Sequence, residues 1–111
     1  MKVAAKSIKI TPPVGLSIGG NVRADDKSRG IHDDLYCNAI YFNDKVNEAL
    51  FLGFDLLVLM GDQVRDIKGR VSKTTGIPES CIMVNVTHTH SGPDTSEIFK
   101  PARHDNAVAY L

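Results

Sequence analysis

The residues best suited to chemistry are two histidines, His88 and His90, in the run Thr87-His88-Thr89-His90-Ser91-Gly92-Pro93. Residues two apart in extended backbone point to the same side, so both imidazoles can converge on one ion, and a metal site is the natural hypothesis. The other reading of this spacing is a hydrogen-bonded structural pair. Ser91-Gly92-Pro93 carries turn chemistry, which takes the chain out of any strand and leaves the rings at an open edge that a ligand can reach.

A zinc ion that keeps a position open for water takes about three protein ligands. His32, Asp33, Asp34, Asp55, Asp94 and His104 are the further candidates, none at a diagnostic spacing. Asp55 interrupts an apolar run, and a buried carboxylate must be paired, hydrogen-bonded or bound to metal. Its first reading is as an acceptor of backbone N–H bonds from the long loop, with support of a histidine ring behind the metal as the intermediate role. His32-Asp33-Asp34 offers carboxylates to a hard cation, although the ordinary role of such a cluster is a solvated loop in which one Asp fixes a turn. Arg23 and Arg65 have the charge to hold an anionic or polar substrate group; Arg65 reads as a surface charge.

Elements must hold these residues in place. Residues 7–10 alternate and predict a short strand, whereas residues 11–34 contain Pro12, Pro13, Gly15, Gly19, Gly20 and Gly30 with no periodicity. An irregular loop this long inside a small domain reads either as a binding loop that walls a site or as a mobile surface loop. Residues 35–42 and 49–60 predict a β-hairpin joined by five residues of turn chemistry, Asn43-Asp44-Lys45-Val46-Asn47. The second strand is apolar on both sides, which predicts a place near the sheet centre with both faces covered. Residues 62–75 predict an amphipathic helix with Asp62 as N-cap, an Asp66–Arg70 pair one turn apart and Gly76 as the left-handed stop. Residues 81–86 predict a buried strand, and residues 105–111 the start of a further helix. Strand, helix, strand in this order is a right-handed βαβ unit, and such units collect functional residues at the carboxyl ends of their strands, where His88 and His90 lie. The expected fold class is therefore α/β, a mixed sheet built from a hairpin and a βαβ unit.

Composition narrows the partners. The 111 residues carry 13 Lys and Arg against 13 Asp and Glu, so no net field draws the chain to nucleic acid or an anionic membrane. The apolar run 49–60 falls short of the roughly 20 residues that span a bilayer. The first residues lack the apolar core of a secretory signal, and the two cysteines, Cys37 and Cys81, have no short spacing, which reads as buried thiols in a reducing, cytoplasmic setting.

Four segments, taken in order, resemble the neutral/alkaline ceramidase family: Ile10-Thr11-Pro12-Pro13-Val14-Gly15, Gly30-Ile31-His32-Asp33-Asp34-Leu35-Tyr36, Phe54-Asp55-Leu56-Leu57, and Gly76-Ile77-Pro78 leading to Thr87-His88-Thr89-His90-Ser91-Gly92-Pro93. The last is the specific one, and the resemblance extends over nearly the whole chain, residues 1–111, as the N-terminal portion of a larger α/β hydrolase domain. It implies zinc-dependent hydrolysis of the amide of N-acylsphingosine or a related N-acyl lipid. It also implies that His88 is a zinc ligand and that His90 lies beside the zinc-bound water and the substrate and assists proton transfer. The other ligands implied, a His, a Glu and a Tyr, come from beyond Leu111, so the 111-residue piece is expected to be inactive by itself. The family often has small residues after Ser-Gly-Pro, where this chain has Asp94-Thr95-Ser96-Glu97, which leaves the acyl-chain and head-group preference open. Two other readings stand beside this one: a barrel-type metal hydrolase, which places His-x-His on its first strand, and a non-enzymatic interaction domain with structural histidines.

Overall fold

The computed structural model describes residues 1–20 and 26–96. Arg23, His104 and the expected helix at 105–111 lie outside the described residues. Four strands form one sheet in the order of the chain: β1 (Lys2–Lys9), β2 (Tyr36–Asn43), β3 (Glu48–Phe54) and β4 (Ile82–Val86). β1 and β2 pair antiparallel, as do β2 and β3, whereas β3 and β4 run parallel across the helix α1 (Gly61–Thr75). The mixed sheet, the hairpin and the βαβ unit are those expected, and β3 is an interior strand.

The register explains where the core sits. Leu50, Leu52 and Phe54 alternate along β3 and stand beside Ile82, Val84 and Val86 of β4. Leu50, Leu52, Ile77 and Ile82 are buried together, and Ile67 and Val71 of α1 pack on them. Helical spacing thus delivers one stripe of α1 to one face of the sheet. Among the described residues nothing covers the opposite face, as expected of a strand apolar on both sides that has a single helix to cover it. Phe51, which sits between Ile40 and Met83, is 41% exposed, and Met83 is 57% exposed. One helix has only one face of the sheet to cover.

Boundaries move from their expected places for local reasons, and the second strand, expected to run to residue 60, ends at Phe54. β1 is eight residues long because pairing with β2, not burial, sustains it; all eight residues are exposed, so the apolar alternation that marks a half-buried strand is weak. The hairpin connection is four residues, since Asn43 still pairs with Glu48 and Asp44 closes the turn by accepting from Val46 N (2.9 Å) and Asn47 N (2.6 Å). Those backbone donors hold the Asp44 carboxyl below the ordinary aspartate range. At the helix start Met60, not Asp62, is the N-cap, and Gln63 reaches back to accept the Met60 N–H at 2.8 Å. Asp62 remains in the first turn, where its charge suits the helix dipole. Gly76 ends the helix at φ 77°, and the Arg70–Asp66 pair forms at 2.6 Å on an exposed face.

Cys37 and Cys81 are free and half-buried, and burial, then the Asp55 charge, pushes the Cys37 thiol up. Among the described residues no helix is long and apolar enough to cross a membrane.

Candidate active-site cleft

β3 stops at Phe54 because the chain leaves the sheet at Asp55. Its N–H donates to Tyr36 O at 2.9 Å while its carboxylate accepts from Tyr36 N at 2.9 Å, so one side chain closes the end of the β2–β3 ladder. Asp55 is half-buried, not fully buried as the apolar run around it suggests, and it lines a cleft. It accepts from a backbone N–H as expected, but from Tyr36 at the start of β2 and not from the long loop. Leu56 and Leu57 then turn inward to full burial, and their carbonyls face the strand end opposite.

That strand end is the histidine motif. Thr87 N donates to Phe54 O (3.0 Å) and His88 N to Leu56 O (3.0 Å), which extends the β3–β4 pairing past the sheet. The backbone then turns sharply: His88 adopts φ 62°, a left-handed conformation that costs an L-residue about 1–2 kcal/mol. The extended backbone assumed for His-x-His is therefore absent, yet the rings do meet. Their centroids are 5.2 Å apart, edge to face. His88 Nδ1 lies 2.8 Å from Leu57 O. A carbonyl only accepts, so Nδ1 carries a proton, and it is Nε2 that is left to bind a metal.

The long loop does form a wall. Ser17 bridges Lys27, Ile18 bridges Pro93, and Gly19 N donates to Gly92 O at 2.9 Å, so the loop is stitched to the segment that follows the histidines. Its two ends are tied by Thr11, whose hydroxyl donates to Asp34 Oδ1 (2.8 Å) and accepts from Leu35 N (2.9 Å). Between loop and motif lies a cleft of about 740 Å³. Pro12, Pro13, Val14, Leu16 and Ile31 give it an apolar side, while Asp55, Thr87, Thr89, His90 and Ser91 give it a polar one. His88 is not among the residues that line it.

The other candidates separate. His32 and Asp33 stand at the cleft as an exposed pair 2.6 Å apart, and the hydrogen bond and charge of Asp33 raise the His32 pKa. Asp34 turns away to Thr11 and to Lys9 Nζ (3.2 Å), and both hold its carboxyl below the ordinary range, Thr11 the more. Asp94 is buried and accepts from Ser96 N (3.0 Å) and Ser96 Oγ (2.8 Å), which is turn chemistry. Arg65 is exposed on α1. Among the described residues no three His, Cys, Asp or Glu side chains gather closely enough to hold a metal ion. Sequence reasoning missed Thr95, 1% exposed, whose hydroxyl donates to Val58 O at 2.9 Å and whose carbonyl accepts from Gln63 Nε2 at 2.8 Å. No periodicity marks such a residue. It clamps the segment after the motif to the segment before the helix.

No protein-family description matches this chain, and no curated protein matches it. Solved structures do. The neutral ceramidase from Pseudomonas aeruginosa superposes at a TM-score of 0.75 and 21% identity, over 84% of this chain and 16% of that one. A ceramidase complexed with C2 superposes at 0.74 and 21% identity, over 84% and 15%. The chain has a neutral ceramidase-like fold. It spans only a small part of either ceramidase's length. A mixed sheet with two antiparallel pairings also departs from the parallel βα units of a barrel-type hydrolase.

Proposed function

We propose that this chain forms one wall of the active site of a zinc-dependent amidohydrolase that cleaves the amide of N-acylsphingosine or a related N-acyl lipid. The observation that carries the reading is the His88 Nδ1–Leu57 carbonyl hydrogen bond, at 2.8 Å. Metal-ligating histidines almost always donate their other ring N–H in this way, which fixes the tautomer, aims the ring and raises its basicity. Imidazole nitrogen suits zinc, and a left-handed His88 at the end of a strand is the kind of backbone strain that persists at functional sites. The donor set fits zinc in part: His88 Nε2 would hold the ion, and the further protein ligands would come from outside the described residues.

Zinc bound there would polarise the amide carbonyl and acidify a water molecule. The chain's own residues supply the rest. Leu57 O fixes the Nδ1–H tautomer of His88 and orients its ring. His90, on the polar side of the cleft and beside His88, takes a proton from the attacking water and returns one to the leaving amine nitrogen. The apolar side, built from Pro12, Pro13, Val14 and Leu16, shelters an acyl chain from water. Hydrolysis of a fluorogenic N-acylsphingosine by the full-length protein tests the reading. Turnover lost with His90→Ala at unchanged zinc content is the expected result; turnover retained removes His90 from the chemistry.

A further inference from the structure

We infer that Gly20 is a positioning residue for His90, and that its missing side chain is the space in which the His90 ring sits. The inference rests on the role proposed for His90, and its evidence is geometric. A Cβ placed on Gly20 would lie 2.6 Å from His90 Nδ1 and 2.9 Å from both Cε1 and Cγ. Three atoms of one ring inside 3 Å leave no small adjustment that accommodates a methyl group, so the whole imidazole would have to swing away. His90 is an exposed residue on the cleft and outside the buried core, so displacing its ring leaves the core packing in place. The consequence of a side chain at position 20 is therefore displacement of the ring rather than loss of the fold.

The surrounding structure holds Gly20 against that ring. Gly19, its neighbour, is buried, donates to Gly92 O at 2.9 Å and sits so close to Leu57 that an added Cβ would meet Cδ2 at 3.0 Å. The same Leu57 supplies the carbonyl that fixes His88. One short stretch of the long loop thus touches the seats of both histidines. Gly20 itself has φ 79°, where L side chains are strained, so two separate effects of substitution must be told apart.

Gly76 provides the separation. Its φ of 77° matches that of Gly20, and a Cβ there would meet nothing within 4 Å. Alanine at either site suffers the same backbone strain, but only at position 20 does it meet a histidine. The test compares Gly20→Ala with Gly76→Ala in the full-length protein, following the His90 Cε1–H resonance by NMR and the turnover of a fluorogenic N-acylsphingosine. Gly20→Ala is expected to shift the His90 resonance and to lower kcat by about 100-fold, the scale of a group misplaced by an ångström, while KM changes little. Gly76→Ala is expected to change neither. Gly20→Asn carries the same Cβ in a residue that tolerates left-handed backbone, and it serves if the alanine variant does not fold. A His90 resonance that stays at its wild-type position in the folded Gly20 variant overturns the inference. Turnover retained by His90→Ala would instead overturn the catalytic role of His90, and the resonance alone would then decide on the seat.

Discussion

At the scale of single residues, the structure separates side chains that shape the cleft from those that only look chemical. Asp34 belongs to the second group. Its carboxyl is held below the ordinary aspartate range by the Thr11 hydroxyl and then by Lys9, so its contribution to stability is present above that range and is lost as pH falls through the depressed value. Thr11→Val should move the Asp34 titration, followed by carboxyl NMR, upward toward the ordinary range, with Lys9 holding the remainder; a titration that does not move would show that Thr11 is not the cause. His32 shifts the other way, raised by Asp33, and Asp33→Asn should lower it. His88 carries backbone strain, so His88→Gly should be more stable than His88→Ala by about 1 kcal/mol in chemical denaturation. Equal midpoints would mean that the turn is not strained. The pairing of His88 with His90 was legible as a motif, but the left-handed turn between them was not. Nothing in Thr-His-Thr-His specifies positive φ, which is imposed by the Leu56 and Leu57 carbonyls across the strand end.

At the scale of elements, α1 was the most legible, because period, ion pair and terminal glycine all agree. Gly69 interrupts it without a visible reason: a Cβ there would meet only Glu79 Oε1, at 3.7 Å. Gly69→Ala should therefore stabilise the protein by about 1 kcal/mol, read as a higher denaturation midpoint. An unchanged or lower midpoint would show that the helix needs a glycine at this site. The cap was misread because Met60 has no polar side chain to mark it; the Met60 N–H is satisfied instead by Gln63, which Thr95 O holds from the other side. That clamp has its own test. Thr95→Val leaves Val58 O without its hydroxyl donor in a buried place and should cost about 1–3 kcal/mol. The long loop was legible as a wall because breakers without periodicity leave little else for 24 residues to do. Its stitching to Gly92, Pro93 and Asp94 runs through backbone atoms, which no side-chain pattern encodes.

At the scale of the whole molecule, a sheet with one covered face and one open face sets the behaviour of the isolated 111-residue chain. Val3, Ile40, Phe51 and Met83 stand 59%, 42%, 41% and 57% exposed, and the register places the last three side by side across β2, β3 and β4. A contiguous apolar patch of this kind drives association. The isolated chain should sediment as a concentration-dependent mixture, and Phe51→Thr with Met83→Thr should shift it toward monomer; a wild-type chain that stays monomeric at high concentration would contradict this. The ceramidase-like superposition accounts for the fold, and the His88–Leu57 hydrogen bond supports the reading of the site as a metal centre. Zinc content measured by elemental analysis on the full-length protein and on His88→Ala tests that reading most directly. The account predicts stoichiometric zinc in the wild type and its loss, together with loss of N-acylsphingosine hydrolysis, in the variant. Stoichiometric zinc and unchanged hydrolysis in His88→Ala would contradict it.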